Sequence, residues 1–159
     1  MSTRDTIGIL GGMGPKSTAP FLDAVIRQCQ VQYAATTDID FPPIMVYSLP
    51  TPFCLDRPID HTLMERTIIR GLQRLEATGV AYIAMPCNSA HIYYEALARS
   101  VSVPLLNMIS ETVAQVPLGA CVTLVATPIT HESKLYQQGL ERLASTLSLS
   151  LRGCRGSWN

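Results

Sequence analysis

Three short stretches of this chain gather residue types that could do chemistry, and each lies where an apolar run gives way to a helical pattern. The first is Pro86-Cys87-Asn88-Ser89, with His91 four residues after the cysteine. A cysteine at a strand end, just ahead of a helix, is placed to face a cleft and react as its thiolate. Asn88 and Ser89 offer hydrogen bonds to a substrate carboxylate or amine. The bland alternative is a buried cysteine packed under a sheet, and the polar neighbours argue against it. His91 either sits beside the site on the first helical turn or simply caps and packs that turn.

The second stretch is Gly11-Gly12-Met13-Gly14-Pro15. Glycines let backbone approach a ligand closely, and the start of the following helix favours an anion. The pattern is not a dinucleotide fingerprint, because Lys16 occupies the place of the third glycine, and it is not a phosphate-binding P-loop. A tight strand–helix turn without a ligand is its alternative. The third stretch runs from Thr127-Pro128 through Thr130 to Ser133, three hydroxyls spaced three apart. Ordinary helix capping is the competing use of those hydroxyls. Arg57, in a long loop, is either a two-pronged clamp on a carboxylate or a solvated surface arginine.

The elements that must hold these stretches can be read from apolar periodicity. Residues 6–10 form a buried strand. A helix follows over about 15–33, with Pro15 at its first position and Phe21, Leu22, Val25 and Ile26 on its inner face. Residues 44–47 are a second strand. The Pro-rich loop from Ser48 to Ile59 has twelve residues, long for a strand-to-helix connection and so a candidate for function. A helix over 60–77, with Leu63, Ile68, Leu72 and Leu75 at helical spacing, stops at Gly79. A third strand covers 80–85, a helix 89–100, a fourth strand 103–107, and a short helix ends near 116. This alternation predicts an α/β fold of Rossmann-like form, a parallel sheet with helices on both faces. Residues 1–116 make one complete N-terminal domain. The span 117–146 starts a second, similar unit with a strand over 121–126 and a helix over 129–144. Residues 147–159 are an irregular tail, although Leu147–Leu151 alternates like a strand.

In such a sheet, ligands bind at the carboxyl ends of the strands, and all three stretches fall at such ends. The totals narrow the function further. The 159 residues are 47% hydrophobic and 15% charged, with a net charge of zero and scattered Lys and Arg. That balance gives no reason to expect nucleic acid or a membrane surface as partner. The start at Met1-Ser2-Thr3-Arg4-Asp5 lacks the apolar run of a secretory signal. No stretch reaches the ~20 apolar residues of a membrane span, so a cytoplasmic protein is expected. The cysteines at 29, 54, 87, 121 and 154 are odd in number and lack CxxC spacing, which speaks against a disulfide framework or a zinc site.

Taken together, the chain resembles the aspartate/glutamate racemase family. The resemblance rests on residues 7–15, on Met85-Pro86-Cys87-Asn88-Ser89-Ala90-His91, on Pro104-Leu105-Leu106-Asn107-Met108, and on Ala126-Thr127 through Ser133 to Tyr136. These segments occur in family order and at family spacing, across about residues 6–143. The resemblance implies two similar α/β domains with the site between them, and neither pyridoxal phosphate nor metal. It implies two cysteines on opposite faces of the substrate α-carbon, one removing the α-proton and the other returning a proton. Cys87 is then the first-domain cysteine. Asn88, Ser89 and the Met13–Gly14 backbone become contacts to the amino-acid carboxylate and amine, with Thr127 and Thr130 the matching contacts at the second domain. Arg57 becomes the reader of a side-chain carboxylate. His91 in the Cys-Asn-Ser-Ala-His run is more typical of aspartate-type members, and Ser89 stands where threonine is usual.

The chain departs from the family at the second cysteine. Gly153-Cys154 copies the first two residues of the family's Gly-Cys-Thr-Glu motif, but Arg155-Gly156 follows. A chain truncated or frame-shifted in its second domain is the expectation. The expected activity is cofactor-independent racemisation of an acidic amino acid, aspartate foremost. A one-cysteine decarboxylase or isomerase of the same superfamily is one alternative. A half-enzyme that only binds a ligand or partner is another. The apolar face left uncovered by a missing domain predicts a homodimer or an aggregation-prone monomer.

Overall fold

In a computed structural model of the chain, residues 5–54, 56–117 and 119–146 are described. The chain divides into two compact units, Met1–Leu106 and a second beginning at Asn107. The first holds strands β1 (Ile7–Gly11), β2 (Ile44–Ser48) and β3 (Tyr82–Ala84), with helices α1 (Thr18–Tyr33), α2 (His61–Glu76) and α3 (Tyr94–Arg99). The sheet order is β2-β1-β3 and both pairings are parallel, with Ile9 opposite Val46 on one side and Ala84 on the other. A parallel α/β unit is therefore present, as the alternation of patterns predicted.

Side chains alternate across a strand, and β1 shows which helix covers which face. A Cβ at Gly8 would lie 3.2 Å from Leu75 of α2, and one at Gly71 of α2 would lie 3.2 Å from Leu10. Gly8 and Leu10 thus face α2. A Cβ at Gly11, on the other face, would meet Thr18 of α1 at 2.5 Å. Helices accordingly lie on both faces. The main core is on the α2 side, where Leu10, Ile68, Leu72, Ile83 and Leu97 are sealed from solvent.

Helix α2 forms where it does because Asp60 caps it, its carboxylate accepting the Leu63 N–H at 2.9 Å. The chain leaves this helix through Gly79, whose φ of +80° suits glycine. Met64, Ile68, Gly71, Leu72 and Leu75 are its buried residues, whereas Leu63, expected on the inner face, is exposed. The Glu76 carboxylate accepts from Ser102 N and Ser102 Oγ, both at 2.6 Å, and from Val103 N at 3.2 Å. Those bonds favour the charged carboxylate and hold its pKa below the usual carboxylate value, the Ser102 hydroxyl contributing most. They also hold the following segment beside β3.

Several expected elements differ. The fourth strand over 103–107 is reduced to one parallel bridge, Leu105 with Ile83. The helix expected over 89–100 begins as a tighter 3-10 turn, Ser89–Tyr93, and only then becomes α3. In α1 the one buried residue is Cys29, and Ile26 is exposed, because little packs over that face among the described residues. In the second unit, helices α4 (Met108–Ala114), α5 (Pro128–Glu132) and α6 (Leu135–Thr146) are present. Helix α4 packs on α6, so it groups with the second unit, although the pattern had placed it at the end of the first. The expected 129–144 helix is split between α5 and α6 at Lys134, whose φ is +56°. The strand expected over 121–126 is absent: those residues are irregular, and Val125 is 92% exposed. An extended segment becomes a strand only when a neighbour takes up its backbone donors and acceptors. The alternating Leu147–Leu151 segment and Cys154 lie outside the described residues.

Candidate active site

Parallel neighbours send their following loops out of the same edge of a sheet. The loops after Gly11 of β1, after Ser48 of β2 and after Ala84 of β3 therefore leave the first unit side by side at its carboxyl edge. This places Met13 and Gly14, Arg57, and Cys87 with Asn88, Ser89 and His91 along one edge. Thr127 and Thr130 belong to the second unit.

The Cys87 loop is short because it turns at once. Met85 is buried as an anchor, and Cys87 N donates to Met85 O at 2.8 Å. The 3-10 turn then starts, with His91 N donating to Asn88 O at 3.1 Å. Cys87 is half-buried, packed on one side against the main core, and its Sγ lies 3.7 Å from Ser89 Oγ. When Sγ is a thiolate it can only accept, so the Ser89 hydroxyl becomes the donor. Asn88 next to it is exposed, and Ser89 is half-buried.

His91 is buried, with Nδ1 2.7 Å from Cys87 O. Its ring stacks on Tyr94 with centroids 5.9 Å apart and planes 5° from parallel. Burial pushes the imidazole below its ordinary value of 6.5, while hydrogen bonds to backbone groups of Cys87 and Leu106 pull the other way. The ring is thus turned into the protein, toward the backbone that carries the cysteine.

The Gly-rich loop is held tightly. Gly12 N donates to Thr18 Oγ1 at 2.9 Å, and Leu49 N donates to Gly11 O at 3.0 Å. Gly12 has a φ of +90°, and a Cβ there would stand 2.5 Å from both Leu49 N and Leu49 O. Only glycine fits such a position. Met13 packs against the same core cluster as Cys87. Gly14 is exposed, and its carbonyl accepts from Ser17 Oγ at 2.8 Å. Arg57 lies on the exposed Pro-rich loop, with Nε 3.4 Å from Asp56 Oδ1. An exposed pair of this kind adds little stability.

In the second unit Thr127 caps α5. Its hydroxyl accepts the Thr130 N–H at 3.5 Å and donates to Thr130 Oγ1 at 3.1 Å. Thr130 is buried and its carbonyl accepts from Ser133 Oγ at 2.7 Å. Both threonines are engaged in the cap, the alternative use that the spacing of three had suggested.

Two tyrosines two and three residues after His91 complete the frame, and sequence reasoning passed them over. Tyr94 Oη donates to Leu105 O at 2.8 Å, and Tyr93 Oη meets His61 Nδ1 at 2.7 Å. The tandem Tyr93-Tyr94, six and seven residues after the cysteine, was the available signal. Among the described residues no group of three or more His, Cys, Asp or Glu could hold a metal ion. Among them, too, no helix is long and apolar enough to cross a membrane.

The fold is that of a parallel α/β protein, with a half-buried thiol and small polar residues in the loop at the carboxyl end of β3. More specifically, the chain belongs to the Asp/Glu/hydantoin racemase family, whose model matches residues 10–156. It is 52% identical over 136 residues to the broad specificity amino-acid racemase RacX of Bacillus subtilis (strain 168), covering 85% of this chain. The match spans 60% of that relative's length. Among solved structures it is similar to an aspartate racemase of Picrophilus torridus, with a TM-score of 0.69 and 27% identity over 87% of this chain and 59% of that one. An aspartate racemase homologue from Pyrococcus horikoshii OT3 matches with a TM-score of 0.60 and 25% identity, over 70% of this chain and 48% of that one.

Proposed function

We propose that the chain takes part in the cofactor-independent racemisation of an acidic amino acid, aspartate foremost, with Cys87 as the proton-transferring thiol. The observation that carries this reading is the half-buried Cys87 Sγ at the carboxyl end of β3, 3.7 Å from the Ser89 hydroxyl. As thiolate, Sγ takes the α-proton. The Cα–H bond breaks, an S–H bond forms, and the electron pair spreads into the substrate carboxylate. That carboxylate needs donors to hold its growing charge. Asn88, Ser89 and the Met13–Gly14 backbone serve it, with Arg57 reading a side-chain carboxylate. Return of a proton to the opposite face requires a second acid. The relatives that the chain matches are longer than the matched part, which leaves room for one.

A second reading of the substrate is favoured by Arg57, whose charge is already shared with Asp56. On that reading the side chain is tolerated broadly, as the name of the Bacillus subtilis relative says of that protein. The free thiols Cys29, Cys54, Cys87 and Cys121 suit a reducing cytoplasm. The exposed apolar Met45 and Val46 of β2 suit a homodimer. Chiral chromatography after incubation with L-aspartate, L-glutamate and a panel of neutral and basic L-amino acids tests the proposal. D-Aspartate above the level of a Cys87→Ala control supports the acidic substrate. D-isomers from the neutral or basic set support the broad one. No D-isomer from any substrate would refute both.

A further inference from the structure

We infer that His91 is a positioning residue that clamps the Cys87 carbonyl to the segment beside β3, and so sets the direction in which the thiol faces a substrate. The inference rests on the reading of Cys87 as the reacting thiol, but its test does not depend on turnover alone. Cys87 O is a carbonyl and only accepts, so His91 Nδ1 carries the proton of the 2.7 Å bond. The ring is 2% exposed and therefore shut away from a ligand in solution. Its face lies against Tyr94, whose hydroxyl donates to Leu105 O at 2.8 Å. That segment is bound in turn to β3, with Ile83 N donating to Pro104 O at 2.9 Å and Leu106 N to Ile83 O at 2.8 Å.

The bonds close a circuit. Strand β3 runs into the Cys87 loop, the 3-10 turn brings His91 back onto the Cys87 carbonyl, and Tyr94 ties the same turn to Leu105. Swinging the Cys87 backbone would break the His91 bond and disturb the stack on Tyr94. A hydrocarbon of similar volume would fill the space without an N–H for the carbonyl, which would leave a polar group unmatched in the interior. Reactions that depend on a held geometry are sensitive to small displacements of the reacting atom, so the clamp acts on rate more than on binding.

The test uses His91→Leu, His91→Asn and Tyr94→Phe, each checked for folding by circular dichroism. Two quantities are read: α-proton exchange of aspartate in D₂O, for kcat and KM, and the rate at which iodoacetamide alkylates Cys87, counted by peptide mass spectrometry. The clamp predicts that His91→Leu lowers kcat about tenfold or more with KM nearly unchanged, and alters the Cys87 alkylation rate clearly. His91→Asn, whose amide nitrogen stands where Nδ1 does, restores most of both. Tyr94→Phe shifts both in the same direction by less. Equal behaviour of the Leu and Asn variants, or wild-type alkylation in both, would overturn the inference. If His91→Leu does not fold, wild-type alkylation in Tyr94→Phe overturns it instead. If the wild type exchanges no α-proton, the racemase reading falls, and the alkylation pattern alone decides the clamp.

Discussion

Replacing Gly12 by alanine should damage the fold more than replacing other glycines, and the structure says by how much. Gly12 combines two demands, a φ of +90° and a Cβ position 2.5 Å from Leu49 N and O. The first costs an L-residue about 1–3 kcal/mol. The second is a collision with backbone that cannot rotate away, and overpacking of that kind costs about 1–3 kcal/mol, sometimes more. The sum, about 2–6 kcal/mol, is a large part of the ~5–15 kcal/mol that holds a typical domain together. Gly79 separates the two terms, because its φ is +80° and a Cβ there would meet nothing within 4 Å. Gly79→Ala should therefore show the first cost alone. Gly14 has φ −74° and the same open surroundings. Gly14→Ala should be neutral or stabilising by up to about 1 kcal/mol, through the restricted unfolded chain. Urea unfolding of the three variants, followed by far-ultraviolet circular dichroism, gives the order Gly14, Gly79, Gly12 in rising cost. A Gly12→Ala variant no less stable than Gly79→Ala would refute the argument that the Gly-rich loop is pinned against Leu49.

Acidification should weaken the fold through His91. Its imidazole titrates below 6.5 when folded because burial outweighs its backbone hydrogen bonds. The unfolded chain therefore takes up the proton first as pH falls. Stability from this group is complete above about 6.5 and is lost between there and the folded value, with a slope of at most about 1.4 kcal/mol per pH unit. Urea midpoints measured from pH 7.5 to 5 should fall in the wild type and flatten in His91→Gln; parallel slopes in the two proteins would contradict this. Leu72→Ala removes a side chain with no exposure from the centre of the core, and should cost about 2–5 kcal/mol in the same unfolding assay. A loss under about 1 kcal/mol would mean that the core on the α2 face is not the stabilising one.

Much of this was legible in the residues. The runs at β1 and β2 name their strands, and Asp60 and Gly79 mark the two ends of α2 by capping chemistry and by a left-handed backbone. The carboxyl-edge position of Cys87, Met13 and Arg57 followed from the order of strands alone. What was illegible depends on partners remote in sequence. Residues 121–126 are apolar enough for a strand, but no pattern says whether a neighbouring strand will be there to bond them. Leu63 and Met64 are neighbouring apolar residues, and the core takes Met64, in step with Ile68 and Leu72. The break at Lys134 carries neither Gly nor Pro to announce it. His91 offered a polar ring one turn after a cysteine; that the ring turns inward, onto the Cys87 carbonyl, is decided by Tyr94 and the segment at Leu105.

The central claim is that Cys87 moves a proton at the α-carbon of an amino acid. Proton NMR of L-aspartate, and separately of D-aspartate, incubated with the protein in D₂O tests it most directly, beside a Cys87→Ala control. The account predicts loss of the α-proton signal with at least one enantiomer, and no loss in the control. Exchange that persists undiminished in Cys87→Ala, or no exchange by the wild type with aspartate or any other amino acid, would contradict it.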